Sequence, residues 1–493
     1  MKKYDFLFIH PSTHIKNISP KINNIVTYTI IPVGTVALAD LLIREGYETM
    51  IIHTGIEQIY NRHFNLEDLI KKYDPLIVGI DLHWYVHSYD AIHISSLVKR
   101  LSNAFVVFGG FTASYFAEEI LSNFMSVDAV ICGDAELPLL KLLKCKDGED
   151  FREVPNLVYR SGESLKRSKY RYVANSSDLN RLNFSNLHLL SNFDEYRRNI
   201  SQFGDLDPFK DKAKLKTQGW LCLGRGCSVN CSYCGGGKDA FQLLTGRREP
   251  VFRAKERVLE ELARFEEMKI SCVYMDFDPF PEKRDYYHDL FDMIRREKID
   301  ISSQFLLWSL SDRNFLRDFN RTFNPLYSTL TLSPESGSEY IRKLNKGFYY
   351  SNSELLRWLE NIKREMIPIQ LYFTSGLSWE TVSHFEETIK LAKRIVEEYP
   401  VVSISCNPIE LEPASPRFLS PKKYGISLKT RKFIDFYNVF KGLAEGLPIH
   451  SQLGYETNYL SEPLIIELSQ QFREIMSSVQ YNKWEKFFFK SNL

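Results

Sequence analysis

The sequence predicts an α/β protein in three parts: an N-terminal doubly wound parallel sheet, a run of β/α units suited to part of a parallel barrel, and a helical C-terminal tail. Three observations carry this. Up to residue 145, short β-branched runs alternate with helical patterns at the spacing of strand–helix units. Between residues 217 and 420 the alternation resumes with longer amphipathic helices. A glycine-rich stretch opening that second run, Trp220 to Lys238, sets Cys227, Cys231 and Cys234 in a Cys-x₃-Cys-x₂-Cys array.

The bounds agree with several domains. A chain of 493 residues exceeds one ordinary core. Lys+Arg 63 against Asp+Glu 62 leaves no electrostatic footprint for nucleic acid or an anionic membrane, so neither is expected as a partner. Of eight cysteines, the five outside the array (Cys132, Cys145, Cys222, Cys272, Cys406) show no disulfide-framework spacing, which reads as a reducing, cytoplasmic setting. The N-terminus lacks a signal peptide's apolar stretch, and the most apolar segment, 25–43, is broken by Pro32, Gly34 and Asp40. No membrane span is expected.

Residues 1–145 form the first domain. Strands are expected at 4–9, 48–53, 76–81, 104–109 and 128–132, and helices at 34–45, 88–101, 114–124 and 135–144. Such Rossmann-like sheets bind ligands beyond the carboxyl ends of their strands. The segments leaving those ends are polar or glycine-rich: His10 to His14, Asp81 to Trp84, Gly109 to Thr112 and Gly133 to Glu136. His83 and His87 stand four apart, as a metal pair on a helix would, although ordinary polar residues at a strand end explain His87. Residues 146–216 are a connector with a hairpin over 158–165, turned at Ser161-Gly162, and a basic run, Lys210 to Lys216, read as a solvated face.

The array has its own chemistry. Three thiolates this close in sequence can face one point, with Gly224, Gly226 and Gly235 to Gly237 allowing the backbone to wrap. Thiolates suit iron–sulfur clusters or zinc, and both ordinarily take four protein ligands. Here the local count stops at three, leaving one cluster iron for a ligand that is not protein. The alternative is a zinc knuckle, or three merely buried cysteines; no His or Cys follows within thirty residues to complete zinc.

In residues 217–420, helices are expected at 256–267, 284–296, 312–319, 352–365 and 380–398, and strands at 271–278, 302–308, 328–333, 367–374 and 401–406. Barrel active sites lie where such strands give way to loops. Residues 421–493 read as a tail with helices at 428–446 and 463–479 and an aromatic stretch, Trp484 to Lys490, most simply packed on the barrel's open side.

The array, with Tyr233 before its last cysteine, resembles the signature of the radical S-adenosylmethionine family. Ser333-Pro-Glu-Ser-Gly-Ser through Asn345-Lys-Gly347 is similar to that family's Glu-Ser-Gly-Ser turn and its continuation. Gly376 to Thr381 resembles its Gly-x-Pro-x-Glu-Thr turn, with Ser378 for the proline, and Ile409 to Pro416 resembles the turn after the sixth strand. Upstream, Ile31-Pro-Val-Gly34, Pro75 to Asp81, Val107 to Thr112 and Val127 to Glu136 resemble, in order, the cobalamin-binding domain that precedes the barrel in one class of this family. The Asp-x-His-x-x-Gly cobalt-ligand motif is absent.

The resemblance implies a cobalamin-dependent radical S-adenosylmethionine enzyme with a [4Fe-4S] cluster, S-adenosyl-L-methionine and cobalamin as cofactors, built as a partial (β/α)6 barrel behind a cobalamin-type sheet. Cys227, Cys231 and Cys234 would bind the cluster. Tyr233 would lie at the adenine end through its backbone, Glu335 and Ser336 would hold ribose and methionine groups, and Asp276 would meet the amino group. Asp276 and Asp278 fall where the family has Gly-Gly-Glu, without its glycines; helix capping or surface charge is the alternative for Asp276 and Glu335. His83, Gly109, Gly110 and Thr112 would flank cobalamin. No catalytic acid or base is assigned. The expected partners are a small-molecule or peptide substrate and an electron donor such as flavodoxin or ferredoxin. Methylation of an unactivated carbon is the expected outcome, with a radical rearrangement or ring closure as the enzyme alternative and a cluster-bearing sensor or binding protein as the other.

Overall fold

A computed structural model describes residues 4–14, 25–26, 31–145, 151–194, 218–278, 281, 283–324, 328–399 and 401–480. The chain divides into two compact units: Met1–Arg198 with Asp239–Glu249 and Thr430–Gln452, and Asn199–Lys238 with Pro250–Lys429 and Leu453–Leu493.

The first unit is built on β1 (Phe6–His10), β2 (Thr49–His53), β3 (Ile77–Asp81), β4 (Phe105–Gly109), β5 (Ala129–Ile131), β6 (Leu157–Ser161) and β7 (Ser164–Arg167), ordered β2-β1-β3-β4-β5-β6-β7. The first five are parallel, in the order of doubly wound sheets, and their strands are buried on both faces, as helices on either side require. All five expected strands are present within two residues. Two helices, Thr54–Tyr60 and Leu66–Tyr73, were not foreseen; local caps start them, His53 Nδ1 accepting from Ile56 N and Asn65 from Glu67 N. The expected hairpin does form around Gly162, but it lies antiparallel against β5 and extends the sheet to seven strands, so this part of the connector is structural core.

The second unit holds six parallel strands in sequence order: β8 (Gln218–Trp220), β9 (Cys272–Met275), β10 (Ser302–Leu307), β11 (Thr329–Glu335), β12 (Ile369–Ser375) and β13 (Val401–Pro408). Helices join them, and β8 and β13 are not paired with each other, so the barrel is partial, as expected. The inward side is layered. Near the strand starts, Gln218 donates to Gln304 (3.2 Å), Gln304 to Gln370 (3.0 Å) and Thr331 to Gln370 (3.3 Å), a polar tie across buried strands. Cys272, whose thiol burial pushes up to about 12, shares this layer. One step toward the carboxyl ends, Trp220 and Tyr274 pack at 4.4 Å. Asp276 and Glu335 follow at the ends themselves.

The tail is divided. Helix 462–480 covers the last barrel strands, with Phe472 against Phe373 at 5.8 Å and Ser375 donating to Ile465 O. Helix 433–445 belongs instead to the first unit, where Phe433 and Phe436 meet Phe116 and Tyr85, and Glu119 accepts from Phe433 N. One aromatic face matched to another outweighs proximity in sequence. The runs Lys210 to Lys216 and Trp484 to Lys490 lie outside the described residues.

Candidate cluster and cofactor sites

The cysteine loop follows β8 at the carboxyl ends of the barrel strands. Burial and then Glu412 push the Cys234 thiol well above its ordinary range, and Cys231 and Cys227 add to the push, so the three sulfurs share one electrostatic neighbourhood. Gly347 N donates to Cys231 Sγ and Gly236 N to Cys234 Sγ, each at 3.3 Å. Among the described residues no three His, Cys, Asp or Glu side chains converge as ligands of a single metal ion. Cys222 stands apart: its thiol donates to Gly224 O and burial pushes it up to about 11, so it stays protonated at neutral pH.

The glycines around the array have packing reasons. A Cβ on Gly235 would lie 2.5 Å from Pro413 O, and one on Gly347 would lie 2.6 Å from Val229 Cγ2. The loop is thus pressed between the turn at 412–413 and the turn after helix Glu339–Asn345. Further ties lock it. Ser232 N donates to Asn345 O and Arg417 N to Ser232 O, while Glu412 accepts from Gly235 N. Asn345 also accepts from Ser378 N at 3.1 Å and donates to Ser378 O at 3.0 Å. A proline at 378 would remove that N–H, which gives the serine its reason here. The Arg417 guanidinium stacks on Tyr455 at 4.4 Å and reaches the carbonyls of Gly376, Ile409 and Glu410. Asn345, Gly347, Glu412 and Arg417 carried no assigned role in the sequence reading; Asn345, Gly347 and Glu412 were visible there only within matched motifs.

Beside the loop lies a carboxylate group. Tyr233 Oη donates to Glu335 Oε1 at 2.7 Å, and Lys346 Nζ stands 3.9 Å from the same oxygen. Burial raises the Glu335 carboxyl despite Lys346 and Tyr233, and its φ of 66° marks a constrained turn at the end of β11. Tyr233 is thus engaged here through its phenol, where the sequence pointed to its backbone. Ser336 is buried, with its hydroxyl facing Thr388 and Ser338 N, engaged inside the turn. Asp276 is half-buried and burial pushes its carboxyl up to about 6. Asp278 is buried and accepts from Trp308 N at 2.8 Å, a structural use. Asp276 and Glu335 thus come to the strand ends that carry the cysteine loop, and neither caps a helix.

In the first unit, the ends of β3 and β4 interlock. Thr112 N and Oγ1 both donate to His83 O, and Ala113 N donates to Leu82 O. Gly110 has φ 103°, and a Cβ there would meet His83 Cα and N at 2.6 Å, so it is needed for this backbone crossing. A Cβ on Gly109 meets nothing within 4 Å, which leaves room for a flat ligand at the strand end. His83 is exposed, its ring stacked on Phe111 at 5.0 Å and edge-on to Trp84 at 5.3 Å. His87 is buried, and burial with His10 pushes its imidazole down to about 3, so the two histidines do not act as a pair. His10 Nδ1 bonds Asp81 at 2.9 Å. The segment Gly133 to Glu136 is committed to the fold: Asp134 pairs with buried Arg247 at 2.7 Å and accepts from Ala174 N.

A family model described as the radical SAM superfamily matches residues 221–392, and one described as the B12 binding domain matches residues 21–143. An uncharacterised methyltransferase of Pyrococcus horikoshii is 26% identical over 414 residues, 82% of this chain and 81% of that protein. The fold is similar to the radical S-adenosylmethionine methyltransferase TsrM from Kitasatospora setae, solved with cobalamin and a [4Fe-4S] cluster bound, at a TM-score of 0.65 and 14% identity over 87% of this chain and 78% of that one. It is also similar to the cobalamin-dependent S-adenosylmethionine radical enzyme OxsB, solved with aqua-cobalamin and S-adenosylmethionine, at a TM-score of 0.59 and 12% identity over 97% of this chain and 67% of that one. Among the described residues no helix is long and apolar enough to cross a membrane. The chain thus carries a radical S-adenosylmethionine domain and a cobalamin-binding domain, matched over the two sites just described, and its cofactors are a [4Fe-4S] cluster, S-adenosylmethionine and cobalamin.

Proposed function

We propose that this protein is a cytoplasmic, cobalamin-dependent methylase of an unactivated carbon in a small molecule or peptide, with the first domain at residues 1–145, a connector at 146–216, the barrel at 217–420 and a C-terminal region at 421–493. The observation that carries the radical part of this reading is the three-thiol loop with the Tyr233–Glu335–Lys346 group beside it at one set of strand ends. The methyl part draws support from the Pyrococcus horikoshii relative, which is named an uncharacterised methyltransferase and matches this chain over most of its length. When bound, the cluster and S-adenosylmethionine supply a carbon radical, and cobalamin supplies a methyl carrier.

The chain's own residues bind and orient. Cys227, Cys231 and Cys234 hold the irons, and the N–H groups of Gly347 and Gly236 offset charge on two of the sulfurs. Glu335, anchored by the Tyr233 phenol and Lys346, is the acceptor for ribose or methionine groups; Ser336 shapes the turn that presents it. Asp276 offers a carboxylate to the ammonium. Trp220 and Tyr274 below keep water from the strand ends. His83, Gly109, Gly110 and Thr112 form the face for the corrin.

The methylase reading has a direct test. With methyl-deuterated S-adenosylmethionine, the product gains the labelled methyl, and S-adenosylhomocysteine and 5′-deoxyadenosine form in equal amounts. Product without label, alongside 5′-deoxyadenosine, replaces the reading with a rearrangement or ring closure. No cleavage by the reduced protein points to a sensor.

Asp276 makes a second expectation. Its carboxyl is raised, so it is protonated below about pH 6 and charged above. S-adenosylmethionine affinity of the cluster-loaded protein therefore falls as pH drops through about 6, and Asp276→Asn has weaker, pH-flat binding across that window. Calorimetric titration at several pH values reads both. An unchanged pH profile in the variant moves the titration to another group.

A further inference from the structure

The lumen of the barrel opens just above its glutamine floor. Gln218, Gln304 and Gln370 are buried, yet the residues two further along each strand, Trp220, Leu306 and Tyr372, are only half-buried. Two residues on is the same face of a strand, so these side chains leave on the side the glutamines take. Ser405 is the partner of Tyr372 in the β12–β13 register and shares that face, and Tyr274 packs on Trp220 at 4.4 Å. Both are half-buried as well. A closed layer with a half-open one above it makes a pocket with a floor.

The polar lining of this pocket is uncommitted. Among the described residues neither the Tyr274 nor the Tyr372 phenol has a hydrogen-bond partner. Trp220 Nε1 and Ser405 Oγ are buried without one. The floor amides, by contrast, donate to one another. The two tyrosines stand on β9 and β12, with β10 and β11 between them in the sheet, yet Tyr372 acts on Tyr274. The curvature of the sheet therefore brings the phenols within electrostatic reach across the lumen. Burial, then Asp276 and Tyr372, push the Tyr274 phenol up, and burial does the same to Tyr372. Both stay protonated at neutral pH, so both can donate. Polar groups left unpaired this deep in a fold cost stability unless a ligand answers them.

Charge narrows what can answer. No cation acts on either phenol, and Lys346 at the strand ends stands beside Glu335. Asp276, two residues beyond Tyr274, is a carboxylate at neutral pH. An anionic group here would be repelled and unpaired. A cation would seek open ring faces, but the Trp220 and Tyr274 rings pack on each other, tilted by 40°. A neutral group that accepts hydrogen bonds at its edge fits both conditions.

Resting on the radical S-adenosylmethionine reading above, we infer that Tyr274 and Tyr372 are specificity-determining residues for the substrate: they donate to an uncharged, planar, acceptor-bearing group of it, such as a heteroaromatic ring or an amide, lying over the glutamine floor beside Trp220 and Ser405. A pocket made to donate in this way rejects analogues that lack the acceptor, because its own donors are then left unpaired.

The test uses the holoenzyme with S-adenosylmethionine bound and no reductant. It is dialysed to equilibrium against labelled pyridines of one shape: nicotinamide, which is neutral, nicotinate, an anion, and aminomethylpyridine, a cation. The parent is expected to hold nicotinamide about tenfold or more tightly than either charged probe. Tyr274→Phe and Tyr372→Phe keep the rings and remove the donors. Each is expected to lose about tenfold in nicotinamide affinity, while the dissociation constant for S-adenosylmethionine moves less than about twofold. A parent that retains no nicotinamide, or that holds a charged probe as well, overturns the assignment. So does parent-like retention in both variants, or an equal loss of S-adenosylmethionine, which makes the lumen part of the cofactor's own site. A reduced parent that leaves S-adenosylmethionine uncleaved overturns the radical reading, and the substrate assignment with it, whatever the dialysis shows.

Discussion

Cys231→Ala should emerge from anaerobic reconstitution with little brown chromophore, little bound iron and no cleavage of S-adenosylmethionine. The effect is expected to be complete because, among the described residues, the cysteine next nearest in sequence is not available as a replacement. Outside the array, Cys222 is the nearest cysteine in sequence, but it is committed to Gly224 O and held as a thiol, pushed up to about 11 by burial. Loss of the Cys231 sulfur also strands the Gly347 N–H that points at it. Cys222→Ala is the control and should load and turn over like the parent. Iron and sulfide analysis with the visible spectrum decides: full cluster content in Cys231→Ala would remove the array as the cluster site.

Gly109→Trp should abolish retention of cobalamin, read as the visible corrin spectrum after desalting, with the folded state intact by circular dichroism. Gly109 and Gly110 look interchangeable in the sequence, yet they differ in space. A side chain at Gly110 would strike the His83 backbone at 2.6 Å and damage the fold, so it reports nothing about the ligand. At Gly109 the space beside the strand end is open, and an indole there occupies it. His83→Ala adds a second reading, since His83 is the exposed imidazole at these ends while His10 and His87 are buried. If its ring ligates cobalt, the spectrum of the variant shifts; if it only stacks with Phe111 and Trp84, affinity alone falls. A Gly109→Trp protein that keeps its corrin would place the ligand elsewhere.

Much of this was legible in the chain. Strand–helix alternation placed the five parallel strands of the first sheet and five of the six strands of the barrel, all but Gln218–Trp220, because apolar runs that must be covered on both faces leave a local signature. The Cys-x₃-Cys-x₂-Cys spacing was legible as a candidate ligand set for the same local reason: three thiolates within eight residues can turn toward one point. Helices 54–60 and 66–73 were missed since their starts rest on single side-chain caps that pattern alone does not rank.

By itself, then, the sequence determined the two parallel-sheet modules, their order, and the thiol array with its glycines, all properties of neighbours along the chain. Only the tertiary structure decided the rest. It gave Tyr233 to Glu335, 102 residues away, joined the cysteine loop to Asn345 and Arg417, and sent helix 433–445 to the first unit and helix 462–480 to the second. It also separated Gly109 from Gly110, one open and one closed. Those outcomes depend on which buried donor meets which acceptor, and on how close two backbones approach, and neither quantity is encoded in the spacing of residues along a single segment.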